Sequence, residues 1–322
     1  MTADVAVVED VWGSPFERLA GDLAVQFKPT AWESASDVLD LAQQSRALVV
    51  RNRTRVNRQL IEACPGLLVV GRAGVGLDNI DLTAADEFGV VVVAPLGANA
   101  VSVAEHAMAL ALALARHVVT LDRGCRDGVW TRTPGRELRG ATWGILGAGA
   151  TARATAAAAK ALGMRVIGYD PYISPDHPEL AELGLRLADL DEVVSAADVL
   201  SCHLPATDET RSLVDANLLT RMRPTAIFVN VGRGEVVDEN ALADALEAGR
   251  LAGAGLDVRA TEPPTVGRLE RLDSVVLTPH VAGITGESQE RILTVLADDI
   301  RAVLSGAAAR NAVGAHRLGR PR

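Results

Sequence analysis

The stretch that decides the fold runs from residue 142 to residue 152 and reads TWGILGAGATA. Its first half, Thr142–Leu146, is short and apolar and is typical of a buried strand. The second half has the spacing GxGxx(G/A), with Gly147 and Gly149 in the glycine places, and it opens an alanine-rich helix predicted over Ala150–Leu162. The segment therefore predicts a strand, a tight turn and a helix in succession.

A turn of this kind can hold a dinucleotide. Gly147 permits the tight turn, and Gly149 lets the backbone approach a pyrophosphate whose charge rests on the N–H groups of the helix N-terminus. The same spacing also occurs in purely structural turns, so a second signal is required. The next predicted strand, Arg165–Tyr169, supplies it, because Asp170 follows about 20 residues after Gly149, where a carboxylate accepts hydrogen bonds from ribose hydroxyls.

Asp170 also bears on the choice of dinucleotide. A carboxylate at this place repels a 2′-phosphate, and no arginine occurs among residues 171–174, so the sequence favours NAD over NADP. The alternative is that Asp170 only caps the turn before Pro171.

Similar short apolar runs alternate with helix-like stretches along most of the chain. This alternation predicts an α/β fold with parallel sheets, and the number of runs exceeds what one compact sheet needs, so we expect two doubly wound domains. The predicted strands are Asp4–Val8, Ala47–Val50, Leu67–Val70, Val90–Val93, Thr142–Leu146, Arg165–Tyr169, Asp198–His203, Ala226–Val229, Gly253–Leu256 and Val275–Leu277.

Two long helical segments predict where the domains meet. Ser102–Arg116 is apolar nearly all round, which indicates burial between two bodies, and Glu287–Leu304 is amphipathic. If Ser102–Arg116 leads the chain into the second domain and Glu287–Leu304 leads it back to the first, residues 1–98 and 287–322 form a discontinuous substrate domain. Residues 99–286 then form the nucleotide-binding domain.

The composition excludes several classes of partner and site. With 48% hydrophobic and 23% charged residues the chain should fold, and its net charge of −9 offers no basic surface for nucleic acid. Cys64, Cys125 and Cys202 are odd in number and far apart, so we expect neither disulfides nor a metal site. The N-terminus lacks a leader pattern and no run is long enough to span a bilayer, which predicts a cytoplasmic protein with no membrane partner.

Five segments in order carry a resemblance to a known family. They read GRAGVGLDNID at residues 71–81, NAVSVAE at 99–105, NVGRGEVVD at 230–238, GLDVRATEP at 255–263 and TPHVAG at 278–283. Together they resemble the D-isomer-specific 2-hydroxyacid dehydrogenases, above all the D-3-phosphoglycerate dehydrogenase branch. The resemblance implies two Rossmann-like domains with a cleft between them. It also implies a homodimer paired through the Ser102–Arg116 region, in a short form without a regulatory domain.

The resemblance assigns three catalytic positions, and their chemistry agrees with hydride transfer. His280 is the acid/base, because histidine exchanges protons near neutral pH. Glu262 is its partner, which orients the ring and stabilises the imidazolium. Arg233 is the clamp, since its guanidinium matches a carboxylate with two parallel hydrogen bonds. Read alone, His280 would more often be a capping or core residue and Arg233 a surface charge.

The resemblance also predicts binding contacts. The predicted cofactor contacts are Val75, Gly147, Gly149, Ala150, Thr151, Asp170, Leu204, Val231, Gly232, Asp257 and Gly283. Asp257 is expected to accept a hydrogen bond from the carboxamide. The segment Ala73, Gly74, Val75 and Gly76 is expected to hold the substrate carboxylate through its N–H groups, with a plain strand–helix turn as the alternative. Arg259 departs from the family's aromatic residue and predicts a more polar wall beside Glu262.

The substrate itself is less determined. Arg51 and Arg72 follow two predicted strands and would form an uncompensated positive pair unless an anion neutralised them, so a phosphorylated acid such as 3-phosphoglycerate is predicted. They could instead pair with acids such as Asp78 or Glu105. Hydroxypyruvate, glyoxylate, or a phosphono or dicarboxylic keto acid are the alternative substrates. A non-catalytic NAD-sensing protein is the alternative from another class, although the intact Arg233, Glu262 and His280 set favours turnover.

Overall fold

A computed structural model describes residues 3–12, 16 and 20–314. The chain divides into two compact units, which we call unit 1, residues 1–99 with 284–322, and unit 2, residues 100–283. Elements are numbered along the chain. The strands are β1 Val5–Val7, β2 Val25–Phe27, β3 Ala47–Val50, β4 Val69–Arg72, β5 Val91–Val93, β6 Thr142–Leu146, β7 Arg165–Tyr169, β8 Leu185–Leu187, β9 Val199–Cys202, β10 Ile227–Asn230, β11 Gly253–Leu256, β12 Val275–Leu277 and β13 Ala312–Val313.

The helices alternate with these strands, as the sequence predicted. They are α1 Ala35–Gln43, α2 Arg58–Glu62, α3 Leu82–Phe88, α4 Ala100–Ala115, α5 Val118–Arg126, α6 Ala150–Ala161, α7 Pro178–Leu183, α8 Leu190–Ala196, α9 Ala216–Arg221, α10 Glu239–Glu247 and α11 Gly286–Leu304. Short 3-10 turns occupy Ala31–Glu33, Gly234–Val236 and Leu269–Arg271.

Unit 1 is a sheet covered on both faces. Its strand order is β13-β5-β4-β3-β1-β2, and all neighbours are parallel except the antiparallel pair of β13 and β5. Successive residues of β1 point to opposite faces, so Val5 packs in a core with Leu296 of α11, whereas Ala6 packs in a core with Val38 of α1. Helices on both faces explain why these strands are apolar throughout.

Unit 2 is an all-parallel, doubly wound sheet. Its order is β12-β11-β10-β9-β6-β7-β8. Helices α4 and α6 pack together on one face, where Ala107 and Ala152 are fully buried, and α10 covers the other face through Leu242. The strand order reverses between β6 and β9, which is the position where open α/β sheets bind ligands. The predicted fold class, with two doubly wound parallel-sheet units, is confirmed.

Several predicted elements need correction. The strands β2, β8 and β13 were not predicted; the first two lie at sheet edges and are not uniformly buried, and β13 has two residues, so none gives a continuous apolar run. The predicted strand Leu67–Val70 in fact covers Val69–Arg72, which puts Arg72 inside β4 rather than after it. The apolar helix begins at Ala100 instead of Ser102.

Among the described residues, no single helix is long and apolar enough to cross a bilayer. Helices α4 and α5 reach the length and hydropathy of a span only when they are taken together, and they are bent by 63° at the break between them.

Candidate active site

Most of the predicted site residues of unit 2 follow strands of its sheet. The strands are parallel, so their carboxyl ends meet at one edge, which we call the unit 2 edge. Gly147 follows β6, Val231 follows β10 and Asp257 follows β11. The predicted residues Val75, Arg51, Arg72 and the segment 73–76 belong to unit 1.

The glycine-rich turn after β6 is shaped for a ligand backbone or phosphate. Gly147 has φ of +92°, in the region that favours glycine, and a Cβ there would lie 3.2 Å from Leu204 Cδ2. Gly149 precedes α6 without a side-chain capping bond, and a Cβ placed on it would meet no atom within 4 Å. The space beside Gly149 at the N-terminus of α6, whose first turn contains Ala150 and Thr151, is therefore open, as a pyrophosphate requires.

Asp170 stabilises this turn by accepting hydrogen bonds from backbone N–H groups. Its Oδ2 accepts a hydrogen bond of 2.8 Å from Ala148 N, and its Oδ1 accepts one of 2.9 Å from Tyr172 N. The carboxylate is partly exposed and has about four acceptor positions, so two remain for ribose hydroxyls. The residues around the turn thus fit a dinucleotide, and Asp170 also caps the turn, as the alternative interpretation predicted.

His280 and Glu262 form a pair at the unit 2 edge. The distance from His280 Nδ1 to Glu262 Oε2 is 2.8 Å, and the two side chains are 46% and 37% exposed, so the ring is accessible to a small molecule. His280 has φ of +55°, which is strained for a residue with a Cβ, and its N–H donates to Asp257 O at 2.7 Å. The loop after β12 therefore holds the backbone of His280 in an unfavourable conformation.

The charge of Glu262 is stabilised by its surroundings. Burial alone would raise the pKa of the Glu262 carboxyl, but hydrogen bonds from His280 and from the backbone N–H of Arg259 lower it below its ordinary value. The positive charge of Arg233 acts in the same direction. Glu262 is consequently a carboxylate beside the imidazole, as an acid/base partner must be.

Asp257 organises the loop that carries His280. Its side chain is 1% exposed, and it accepts hydrogen bonds from Val281 N at 2.9 Å, Ala282 N at 2.8 Å and Thr278 Oγ1 at 2.6 Å. His106 of α4 joins this network through Thr278 Oγ1 at 2.9 Å. The predicted role of Asp257 toward a carboxamide is untested, and the observed contacts give it a structural role in addition.

Arg233 lies in a closely packed turn after β10. Asn230 brackets this turn, since its Nδ2 donates to Arg233 O at 3.0 Å and its Oδ1 accepts from Gly232 N at 3.1 Å. A Cβ on Gly232 would approach Leu204 O at 2.7 Å, and one on Gly234 would overlap the backbone of Arg259. Glycine is therefore required on both sides of Arg233, and the turn lies against the segment that carries Glu262.

The remaining predicted cofactor residues differ in accessibility. Leu204 and Val231 are 8% and 9% exposed, so any contact they make involves few atoms. Gly283 ends the loop of His280 and is half-buried. In unit 1, Val75 is half-buried in the loop after β4.

Of the two arginines of unit 1, Arg51 is held by groups that the sequence did not suggest. Arg51 lies over the ring of Trp12 at 3.9 Å, and the acids near it are Glu9 and Asp10 rather than Asp78. Burial lowers the pKa of Arg51, and Glu9 and Asp10 oppose that shift. Arg72 is 8% exposed and its guanidinium lies against Gly74.

Arg259, which predicted a more polar wall beside Glu262, does not present a free guanidinium there. Its side chain is 10% exposed, and its guanidinium is bonded to Glu239 and Glu270. The sequence offered no signal for this pairing, because the two acids lie on separate elements.

His203, which follows β9, was also missed. Its Nε2 lies 3.0 Å from Ser201 Oγ, and its Nδ1 lies 3.3 Å from Thr151 Oγ1 at the start of α6. Desolvation lowers the pKa of His203 to about 3, so the ring is neutral and supports the glycine-rich turn without adding charge.

Comparison with known proteins agrees with this geometry. Residues 108–282 match the family model described as D-isomer specific 2-hydroxyacid dehydrogenase, NAD binding domain. The D-3-phosphoglycerate dehydrogenase of Archaeoglobus fulgidus is 42% identical over 87% of this chain and 53% of its own length. The chain thus spans about half the length of the curated D-3-phosphoglycerate dehydrogenases it matches.

Two further relatives match over nearly their whole length. The (S)-sulfolactate dehydrogenase of Chromohalobacter salexigens is 39% identical over 94% of this chain and 98% of its own. The crystal structure of a glyoxylate reductase from Paecilomyes thermophila is 28% identical, with a TM-score of 0.86 over 97% of this chain and 99% of that one. The resemblance predicted from the five sequence segments is confirmed: the chain belongs to the D-isomer-specific 2-hydroxyacid dehydrogenase family.

Proposed function

We propose that this protein transfers a hydride between NAD(H) and a D-2-hydroxy acid or its 2-keto acid. The observation that carries the proposal is the 2.8 Å pair of His280 and Glu262 at the sheet edge that also bears the glycine-rich turn. Arg233, Glu262 and His280 are the residues to which we assign the chemistry. A sensor protein that only binds NAD would have no use for a partnered, exposed imidazole at that edge.

The geometry of the imidazole indicates which ring nitrogen exchanges the proton. Because Nδ1 is bonded to Glu262, Nε2 is the nitrogen that faces the substrate. In reduction the His280 imidazolium gives its Nε2 proton to the keto oxygen, and in oxidation the neutral ring takes the hydroxyl proton. Arg233 pairs with the carboxylate beside the reacting carbon. When bound, the nicotinamide supplies or accepts the hydride.

The dinucleotide is held by the turn and by the N-terminus of α6. Gly147, Gly149, Ala150 and Thr151 accommodate the pyrophosphate, and Asp170 accepts hydrogen bonds from the adenosine ribose. The negative charge of Asp170 disfavours a 2′-phosphate, which supports NAD(H) over NADP(H).

For the substrate we propose a 2-keto acid with a second anionic group, phosphate being the first choice. The support is that Arg51 and Arg72 lie at the carboxyl end of the unit 1 sheet, and that relatives at 42% identity are named D-3-phosphoglycerate dehydrogenases. The neighbouring Ala73, Gly74, Val75 and Gly76 offer backbone N–H groups to a carboxylate.

A sulfonated acid is the second candidate. It is favoured by the (S)-sulfolactate dehydrogenase, which this chain matches over nearly the whole length of both proteins. A sulfonate presents the same charge-bearing oxygens to a guanidinium as a phosphate does, so both candidates share the second-anion requirement. Hydroxypyruvate and glyoxylate lack that group.

A comparison of keto acids with NADH tests the proposal. We expect 3-phosphohydroxypyruvate or 3-sulfopyruvate to exceed hydroxypyruvate by about ten- to a hundredfold in kcat/KM, because a charged hydrogen-bonded contact contributes about 1.5–3 kcal/mol. Arg51→Ala should reduce that ratio and leave hydroxypyruvate turnover near its original value. Equal kcat/KM for all three acids would reject the second anion, and no NADH oxidation with any acid would reject the reaction.

We also propose that the protein acts as a homodimer in the cytoplasm. Support for the dimer comes from exposed apolar residues on adjoining helices. Val101 and Leu112 of α4 are 56% and 37% exposed, and Val118 of α5 is 52% exposed. Light scattering at micromolar concentration should give the mass of two chains. A monomer, or an unchanged mass in a Leu112→Glu/Val118→Glu variant, would reject this interface.

A further inference from the structure

A partly buried group of three charged side chains is joined to the segment that carries Glu262. We call Glu239, Arg259 and Glu270 the charged cluster. Arg259 Nε and Nη2 donate to the two carboxylate oxygens of Glu239 at 3.0 and 2.9 Å, and Arg259 Nη1 donates to Glu270 Oε1. The side chains are 10%, 27% and 16% exposed for Arg259, Glu239 and Glu270. The guanidinium fork is thus occupied on both sides and does not reach a substrate.

The charged cluster is joined directly to the segment that presents Glu262. The backbone N–H of Arg259 donates to Glu262 Oε1 at 3.0 Å, and Ala260 N donates to Glu239 Oε1 at 2.8 Å. Glu262 Oε1 is therefore fixed by the backbone of Arg259, while its Oε2 is fixed by His280. The backbone of Arg259 is in turn fixed by its own side chain and by Glu239.

The cluster also spans three separate elements. Glu239 is the first residue of α10, which is capped by Asp238 and follows the Arg233 turn. Glu270 lies in the 3-10 turn Leu269–Arg271, where its Oε2 accepts from Gly267 N at 2.7 Å. Arg259 lies between them, against Gly234. These contacts link the segment that carries Glu262 to helix α10, which follows the Arg233 turn, and to the 3-10 turn Leu269–Arg271.

We propose that the charged cluster is a positioning device that holds Glu262 in line with His280, so that Glu239, Arg259 and Glu270 set the rate and pH range of the reaction without touching the substrate. This inference rests on the proposed function. Stability alone does not explain the cluster, because desolvating three charges is costly and an apolar side chain of similar volume often stabilises equally well. A guanidinium fork gives directional constraints that an apolar side chain lacks.

A second arginine that pairs with acids of the same helix, α10, provides a matched control. Arg268 donates to Asp244 at 2.7 Å and to Glu247 at 2.6 Å, both on α10, so it resembles Arg259 in partners. It is 43% exposed, and among the described contacts none joins it to Glu262 or His280. Arg268→Met therefore measures the effect of losing an ordinary ion pair to α10. Arg259→Met measures that loss together with the loss of the proposed positioning of Glu262.

The test compares Arg259→Met, the double variant Glu239→Gln/Arg259→Met, Arg259→Lys and Arg268→Met. The double variant relieves the repulsion between Glu239 and Glu270 and keeps the protein folded if the single variant unfolds. We expect kcat for keto-acid reduction to fall about tenfold in Arg259→Met and in the double variant, because misplacement of a reacting group is costly. The dissociation constant of NADH should stay within about twofold of the original, and Arg259→Lys should be intermediate.

The pH dependence supplies the readout that a purely structural role would not move. The groups facing the imidazole are Glu262 and, through that carboxylate, Arg233 and Arg259. When Glu262 is less well placed, it loses part of the hydrogen bonding that holds its own pKa below the ordinary value, and it stabilises an imidazolium less. The fall of the reduction rate toward alkaline pH should then begin at lower pH in both Arg259→Met variants, and not in Arg268→Met.

Titration of the Glu262 carboxyl carbon by NMR, assigned with Glu262→Gln, makes the test independent of turnover. Hydrogen bonds from His280 and from Arg259 N–H hold the pKa of Glu262 below its ordinary value, so the carboxyl should take up its proton at higher pH in folded Arg259→Met or in the double variant than in the original protein. If the titration of Glu262 and kcat are unchanged in these variants, or if Arg268→Met has the same effect, the positioning role is wrong. If the titration of Glu262 shifts but no keto acid is reduced by the original protein, the proposed function fails and the positioning role stands.

Discussion

The two units contain the same type of sheet and use its ligand-binding position differently. In unit 2 the strand order reverses between β6 and β9, and in unit 1 it reverses between β1 and β3. Unit 2 places glycines at this point, and the space over Gly149 is open. Unit 1 places Glu9 after β1 and Arg51 after β3.

Glu9 occupies backbone N–H groups at this position in unit 1, whereas the Arg51 side chain is not among the described donors of hydrogen bonds to Glu9. Glu9 is 3% exposed, and its carboxylate accepts hydrogen bonds from Arg51 N at 2.8 Å, Arg53 N at 3.1 Å and Thr54 N at 2.9 Å. Backbone N–H groups that could bind an external anion are thus bound to an internal one. Topology therefore supplies a place for an anion, while the loop residues decide whether a ligand or a side chain fills it.

The largest expected effect on turnover comes from the unit 2 edge. His280→Gln removes the acid/base group and should lower kcat by about 10²–10⁴-fold, with the dissociation constant of NADH nearly unchanged. Steady-state kinetics and fluorescence titration with NADH measure the two quantities. A variant that keeps more than about a third of the original kcat would remove His280 from the mechanism.

The glycine-rich turn gives the next effect. Gly147→Ala places a Cβ against Leu204 at a φ of +92°, so we expect NADH to bind about tenfold more weakly or worse. Gly249→Ala is the matched control, since Gly249 also has positive φ, +64°, with no atom within 4 Å of its Cβ. Calorimetric titration of both variants should show weakened binding in the first only; equal affinities would show that the turn does not hold the dinucleotide.

Asp170 should affect the choice of cofactor more than the rate. Asp170→Ala removes the charge that opposes a 2′-phosphate, so the ratio of kcat/KM for NADH to that for NADPH should fall by about tenfold. Asp170→Asn, which keeps acceptor oxygen for Ala148 N, separates the charge from the support of the turn. An original protein that uses NADPH as well as NADH would contradict the assignment.

Glu9 should have the smallest effect on cofactor binding and a clear effect on stability. Glu9→Gln replaces a carboxylate that accepts three N–H groups by an amide with one acceptor oxygen, so we expect the free energy of unfolding to fall by about 1.5–3 kcal/mol. Denaturant unfolding measures the loss, and NADH titration should give the original affinity. Unchanged stability would mean that the internal anion does not hold this loop.

The sequence predicted the main features of unit 2 because they depend on local patterns. Strands β6, β7, β11 and β12 have their predicted bounds, and the spacing from Gly149 to Asp170 is a property of one βαβ unit. The pairing of His280 with Glu262 was predicted only through the family resemblance, since no periodicity relates the two residues.

The contacts that could not be predicted join residues far apart in the chain. The approach of His106 to Thr278, the closure of the Arg51 loop by Glu9 and the neutralisation of Arg259 by Glu239 and Glu270 depend on three-dimensional packing. A buried polar side chain requires hydrogen-bond partners, but the amino-acid sequence does not show which residues they are. The sequence could not give the partners of Arg259 for this reason.

The most direct test of the account follows the hydride itself. The protein is mixed with 3-phosphohydroxypyruvate, 3-sulfopyruvate or hydroxypyruvate and each of the two forms of NADH stereospecifically deuterated at C4 of the nicotinamide. NMR and mass spectrometry then locate the deuterium. We expect one of the two forms to transfer its deuterium to C2 of a product with the D configuration. An L product, or a product without deuterium at C2 in both experiments, would contradict this reaction.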